Sequence, residues 1–224
     1  MQSVGDAFCG RSGRPSPEKI VLLLLLLLAV PFREALAADQ PSGRLTIAKG
    51  TVTCKRPGAG DARVIRAGDA VFVGDLLGTG NDSWAQVVLS DESVITLSPR
   101  SAARVNQYAF DAGTNRRAAV VNVVQGRVRV IVSRERNRES GFRILTGQAV
   151  AAFDLADVVA IAGTDGTSLA VLDGRVSVKN RSYLTVGEVI VADNQMTVVK
   201  EKASPSVPSI ITEQQRRMYT KDVY

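Results

Sequence analysis

Beyond residue 40, apolar and polar positions alternate in short runs. In "GRVRVIV", Gly126–Val132, the residues Val128, Val130 and Val132 share one face of an extended chain, and Arg127 and Arg129 share the other. Trp84–Leu89 and Ser93–Leu97 are two more alternating runs. They flank the polar break Ser90-Asp91-Glu92, which is the pattern of a hairpin. The runs are rich in Val, Ile and Thr, and Gly and Asp punctuate them. A 3.6-residue period is absent until the C-terminal end. The pattern predicts an all-β domain over residues 38–202, assembled from many short strands.

These runs repeat. Three segments begin Gly-x-Val-x-apolar: Gly50-Thr51-Val52-Thr53-Cys54, Gly126-Arg127-Val128-Arg129-Val130 and Gly174-Arg175-Val176-Ser177-Val178. Each is followed, after a loop of variable length, by a second glycine that opens another apolar run, at Gly68, Gly147 and Gly187. The segment Thr79–Leu97 is echoed by Gly163–Val178, with Asp91-Glu92 and Asp173-Gly174 as the corresponding turns. A hairpin alone leaves one apolar face in water, and stacking covers it. The expected fold is a set of repeated hairpins stacked as a jelly-roll-like sandwich or a short β-solenoid, since both present short strands at regular spacing. "ASPSVPS", Ala203–Ser209, reads as a linker. The rest, Ile210–Tyr224, offers a short helix across "TEQQRRM" that is too short to stand alone. Residues 203–224 are therefore expected to be a linker and flexible C-terminal tail, the tail either disordered or docked.

The N-terminus changes the picture of where the domain works. Arg11, Arg14 and Lys19 precede an unbroken apolar run, Ile20–Val30, and Ala35-Leu36-Ala37 follows as a small-x-small site. This is the layout of a signal peptide over residues 1–37. The apolar run is shorter than the roughly 20 residues of a spanning helix. An uncleaved N-terminal anchor is the rival reading, and both place the remainder in the periplasm or otherwise outside the cytoplasm. Cys9 falls in the leader and Cys54 stands alone after it, so no intramolecular disulfide forms. The net charge of +6 is interspersed rather than clustered. Together with export, this argues against nucleic acid as a partner.

The chain contains no histidine, which removes Ser–His and Cys–His catalysis and histidine-ligated metal. Cys54 occupies the repeat position of Val130 and Val178 and reads as a buried, inert thiol. Asp91/Glu92 and Asp154/Asp157 are the closest carboxylate pairs, and the first matches a hairpin turn rather than an acid–base pair. Asn81, Asp82, Thr164 and Asp165 carry hard oxygen donors suited to calcium, but no Asp-x-Asp-x-Asp series appears, and turn hydrogen bonding accounts for them. Trp84 lies inside an apolar run and is expected in the core. Tyr108 and Phe110 share one strand face, either core or an exposed patch for a partner. "SRERNRESGFR", Ser133–Arg143, presents Arg134, Arg136, Arg138 and Arg143 among glutamates, either as a dock for an anionic partner or as a solvated hairpin tip. No catalytic, cofactor or metal residues are assigned and no cofactor is expected. Tyr108, Phe110, Arg134, Arg136 and Arg138 are the candidate partner-binding residues.

"AGDAVFVGDLLGTGNDSWAQVVLSDESVITLSPRSAARV", Ala67–Val105, resembles the FecR domain family. The carrying motifs are Gly68-Asp69, Thr79-Gly80, Asp82-Ser83, Asp91-Glu92-Ser93 and Leu97-Ser98-Pro99-Arg100-Ser101. "GFRILTG" at Gly141–Gly147, the Gly163-Thr164 pair, "VLDGRVSV" and "TVGE" extend the likeness over about Ala48–Val199. Glu92 stands where the family usually has Gly, and Asp165-Gly166-Thr167 stands where an aromatic usually follows Gly163-Thr164. The resemblance implies an extracytoplasmic all-β domain. Its best-known members add a cytoplasmic anti-sigma segment, for which the 19 residues ahead of the apolar run are too few, so direct sigma-factor contact is not expected. The implied role is a non-enzymatic exported module for protein–protein recognition or signalling in the bacterial cell envelope, through hairpin tips or an open sheet edge. The alternative is a structural envelope protein associated with peptidoglycan or polysaccharide. The expected partner is thus an envelope protein or cell-wall polymer, with the membrane touched only transiently through the leader.

Overall fold

The computed structural model describes residues 40–133 and 140–221. The expected signal peptide and Arg134, Arg136 and Arg138 lie outside the described residues. The strands are β1 (Gly43–Lys49), β2 (Val52–Lys55), β3 (Arg63–Val64), β4 (Ala70–Val71), β5 (Leu76–Thr79) and β6 (Trp84–Leu89). There follow β7 (Val94–Leu97), β8 (Ala102–Asp111), β9 (Arg116–Val132), β10 (Gly141–Leu145), β11 (Ala149–Phe153) and β12 (Ala156–Ala162). The chain ends with β13 (Gly166–Gly174), β14 (Val176–Asn180), β15 (Glu188–Val191), β16 (Gln195–Lys200), β17 (Ser209–Ile210) and helix α1 (Glu213–Thr220).

They pair into two sheets joined by one shared strand. Sheet I runs β4-β1-β6-β7-β9-β12-β13-β16-β17. Sheet II runs β3-β2-β5-β8-β9-β10-β11-β14-β15. The first half of β9 pairs in sheet II and the second half in sheet I, and Gly126 is the bend between them. The inner faces of both sheets feed a single core. Leu45, Val87, Leu97, Val130 and Leu169 come from sheet I, and Val52, Leu77, Val121, Phe142 and Val178 from sheet II. Phe142 and Phe153 stack within it at 5.4 Å between ring centroids. Each such buried side chain contributes about 1.5–3 kcal/mol relative to exposure. This is the sandwich of the two expected folds. A solenoid stacks its coils in parallel, whereas here the pairings are antiparallel except β9 with β10.

The Gly-x-Val repeat has a role that differs from the expected one. Gly50, Gly126 and Gly174 all take positive φ, at 72°, 78° and 95°. Each stands where the chain passes from one sheet to the other. They are corners between sheets, not hairpin turns. A Cβ at Gly126 would lie 2.5 Å from Ser101 Oγ and 2.7 Å from the Arg100 carbonyl, and one at Gly174 would lie 2.6 Å from the Leu155 carbonyl. Asp173-Gly174 is accordingly not a hairpin turn, because β13 pairs with β12 and β16 while β14 pairs with β11 and β15. The structural repeat is shifted by one strand. β5-β6-β7-β8 places a hairpin in sheet I between two strands that pair in sheet II, and β11-β12-β13-β14 does the same. The second glycines are not equivalent either. Gly68 precedes a strand of sheet I, whereas Gly147 and Gly187 precede strands of sheet II.

The C-terminal segment docks, which is the second of the two readings of the tail. β17 pairs with β16, and Ile211 and Tyr219 pack on Val159, Ala170 and Leu172 of the outer face of sheet I. Thr212 caps α1 in a capping box with Gln215. Arg127 reaches from β9 to donate to the Met218 carbonyl at 3.0 Å, a cation at a helix C-terminal end.

Candidate recognition surface

Ser83, Asp91, Ser93, Ser98 and Ser101 of the 82–101 region are buried and bonded within the chain, whereas Asp82, Glu92 and Arg100 are exposed. The hairpin β6–β7 closes through Ser90-Asp91-Glu92. Glu92 N–H donates to the Leu89 carbonyl and Leu89 N–H to the Ser93 carbonyl, both at 2.9 Å. That is a type I turn followed by a left-handed residue, and Glu92 holds φ 68°. Glu92 therefore takes the backbone conformation for which the family's glycine is suited. At the opposite end of these strands, the Thr79 hydroxyl donates to the Ser98 carbonyl at 2.6 Å and accepts from Ser101 N–H at 3.0 Å. Ser101 Oγ accepts from Arg127 N–H at 2.9 Å, and Ser83 Oγ accepts from Thr51 N–H at 2.8 Å. Thr79, Ser83 and Ser101 thus satisfy backbone groups that the sheet-to-sheet corners leave open.

Asp91 is buried, and it is the hub of a polar cluster between the sheets. Its carboxylate accepts from Arg117 Nη1 at 3.0 Å, Ser93 Oγ at 2.6 Å and Tyr108 Oη at 3.0 Å. Tyr108 Oη in turn accepts from Asp91 N–H at 2.8 Å. Arg117 Nη2 donates to the Asp154 carbonyl at 2.8 Å, Arg117 N–H donates to Ser140 Oγ at 3.0 Å, and the guanidinium lies 5.9 Å from the Phe142 ring centroid. Burial, and then the Asp91 charge, push the Tyr108 hydroxyl well above its ordinary range. A carboxylate bonded to a guanidinium, a serine and a phenol has no spare capacity for proton transfer to a substrate. The arrangement staples a hairpin of sheet I to β8 and β9 of sheet II.

Two other carboxylates are also engaged. Asp157 forms a two-pronged pair with Arg129 at 2.8 and 2.6 Å. Asp75 is buried, accepts from Phe72 N–H at 3.0 Å and meets Arg56 Nε at 3.3 Å. Cys54 is buried, and burial followed by the Asp75 charge raises its thiol to about 11, as expected of an inert thiol. Among the described residues, no three His, Cys, Asp or Glu side chains gather in metal-binding range.

Of the candidate partner-binding residues, Tyr108 is committed to the Asp91 cluster. Phe110 is half-buried and lines a cavity of about 280 Å³ with Ala109, Asp111, Thr114, Arg116 and Ala118 at the end of the β8–β9 hairpin. A second cavity of about 250 Å³, lined by Gln107, Ser140, Gly141 and Arg143, lies on the other side of Arg117. Trp84 departs from its expected place in the core. In β6 the inward residues are Ala85, Val87 and Leu89, so Trp84 faces outward with Gln86 and Val88, half-buried opposite Lys49. The alternation of β6 suits either phase by eye, and only the pairing with β1 and β7 chooses. Arg117 was legible in principle. Counting back in twos from Val123 through Val121 and Ala119 puts it on the inner face. A lone arginine in a polar run gave no other signal. Asp75 likewise gave none beyond its place after Gly74.

A family model described as FecR protein matches residues 75–177. Comparison with curated proteins finds no match. Two crystal structures of a "putative anti-sigma factor from Parabacteroides distasonis ATCC 8503" superpose with a TM-score of 0.50 at 16% and 17% identity. Each alignment covers 64% of this chain and 63% of the other, so this chain spans under two thirds of their length. At that identity the likeness concerns the fold. The family match is narrower than the resemblance read over Ala48–Val199. It opens at the buried Asp75 and ends inside β14, so it takes in both four-strand units and the shared strand β9 between them. Residues 75–177 of this chain are a FecR-family domain.

Proposed function

We propose that this chain is a non-catalytic, exported recognition module of the FecR type that transmits a signal by binding another protein in the bacterial cell envelope. The observation that carries the reading is the open edge of sheet II. Among the described residues β15 pairs with β14 alone in that sheet, and Ile190 on it is 55% exposed. An edge strand with an exposed branched apolar side chain is a template for an added strand from a partner. Two facts support a role in binding. Thr79, Ser83, Asp91, Ser93 and Ser101 of the family's motifs are spent on bonds within the chain, and Asp75, Asp91, Asp157 and the thiol are buried or paired, which favours recognition through the surface. The description of the structural neighbours as an anti-sigma factor supports a place in signal transmission.

The test is a crosslinking pull-down from native envelope with Asp39–Tyr224 as bait, and sacculi sedimented separately. One dominant protein is expected, and it should be lost with Ile190→Lys. Co-sedimentation with sacculi and no protein partner would sink the proposal in favour of a wall-associated structural role.

A further inference from the structure

The turn between β14 and β15, Arg181–Gly187, carries three of the four most exposed large apolar side chains among the described residues. Tyr183 is 92% exposed, Val186 89% and Leu184 79%. A loop that merely connects two strands has no need of them, and each costs solubility.

The turn is held in shape from below. Arg181 N–H donates to the Gln148 carbonyl, and Arg181 Nη1 to the Thr146 carbonyl, both at 2.8 Å. Ser182 N–H donates to Asn180 Oδ1 at 2.8 Å, and Thr185 N–H to the Ser182 carbonyl at 3.1 Å. Asn180 Nδ2 also donates to the Lys200 and Ala203 carbonyls at 2.9 and 2.8 Å, and Ser204 Oγ donates to the Val186 carbonyl at 2.7 Å. These bonds clamp the turn after β16 beside the apolar tip, so Lys200 and Lys202 stand next to it with Arg181, all exposed. Glu201, 3.6 Å from Lys202, is the acid within that turn, and Glu188 is engaged by Ser177.

We propose that this turn is an anchor for an anionic lipid surface. Tyr183, Leu184 and Val186 enter the interfacial layer, while Arg181, Lys200 and Lys202 meet the headgroups. Three side chains on a convex tip are too few for a protein interface, which needs about 800 Å² per partner. A bilayer demands no complementary shape. A tyrosine settles at headgroup depth with its ring in the acyl boundary and its hydroxyl in water. Basic side chains near an anionic surface add attraction that falls off within a Debye length. The hydrogen-bonded base means that little order is lost on insertion. The contact would hold β15 at a set height above the membrane.

The test uses Asp39–Tyr224, the compact unit that holds the core cluster. It is sedimented with phosphatidylglycerol vesicles and with phosphatidylcholine vesicles. Binding to the anionic vesicles is expected, weakening as salt rises from about 0.05 to 0.5 M. Tyr183→Ser/Leu184→Ser/Val186→Ser should lower the partition coefficient about tenfold or more, with an unchanged circular dichroism spectrum. In the full chain, Trp84→Phe with Tyr183→Trp leaves a single reporter at the tip. Its emission should shift to the blue and be quenched by brominated acyl chains. An unaltered partition in the triple variant, an unquenched reporter, or sedimentation without vesicles, which would indicate self-association, each overturns the anchor.

Discussion

Arg117 and Asp91 meet with side chains 1% and 0% exposed. Removing one partner of such a pair leaves a buried charge without compensation, at a cost of about 3–5 kcal/mol. Arg117→Met is therefore expected to lower the urea midpoint sharply, and Arg117→Met/Asp91→Leu to recover part of the loss. Glu92 presents the opposite case. A non-glycine at φ 68° is mildly strained, so Glu92→Gly should raise stability by about 0.5–1 kcal/mol in the same titration, provided the turn keeps its hydrogen bonds. Cys54 sets an alkaline limit. Burial, and then the Asp75 charge, push its thiol from about 9 in the unfolded chain up to about 11. The unfolded chain then loses its proton first as pH rises, and stability falls between about pH 9 and 11. Cys54→Ala should flatten that part of the pH–stability curve. A thiol reagent at neutral pH should react only after unfolding.

At the scale of elements, the corners govern the fold. Gly126 bends β9 from sheet II into sheet I, and a side chain there meets Ser101 and the Arg100 carbonyl at once. Gly126→Ala is expected to cost more than about 2 kcal/mol, combining left-handed strain with a backbone clash. Gly60→Ala is the control, since nothing lies within 4 Å of its Cβ position, and it should leave the melting temperature unchanged. The repeat was visible in the residues, yet its meaning was not. A tight hairpin turn and a sheet-to-sheet corner both call for a glycine at positive φ, flanked by alternating apolar residues. Asp173-Gly174 carries the signature of the first and performs the second. The candidate partner residues show the same limit. Tyr108 and Phe110 alternate correctly onto one face, but only the presence of Asp91 across the sheets turns Tyr108 into a cluster member.

For the whole molecule, the decisive contact is the C-terminal strap across sheet I. Eight residues make a marginal helix in water, so α1 depends on Ile211, Tyr219 and the Arg127 bond to Met218. Tyr219→Ser is expected to raise hydrogen exchange across residues 209–221 while the strands of the main core stay protected, because Tyr219 belongs to a satellite cluster. Loss of protection throughout would show instead that the strap is integral to the core.

The sequence by itself determined the class of this protein. Period-2 alternation, β-branched residues and glycine punctuation permit little besides stacked strands, and the absence of histidine with a single cysteine over residues 38–224 removes whole families of chemistry. The FecR likeness was also legible, because its motif residues satisfy corner backbone groups that few other residue types can. Tertiary structure alone decided the rest. It set which phase of β6 faces inward, which glycines are corners, where Arg117 finds its carboxylate, and that the tail is a strap. Local alternation specifies a strand and its two faces. Which face is buried depends on the partner strand's register and on the opposing sheet, and those are contacts between residues far apart in the chain.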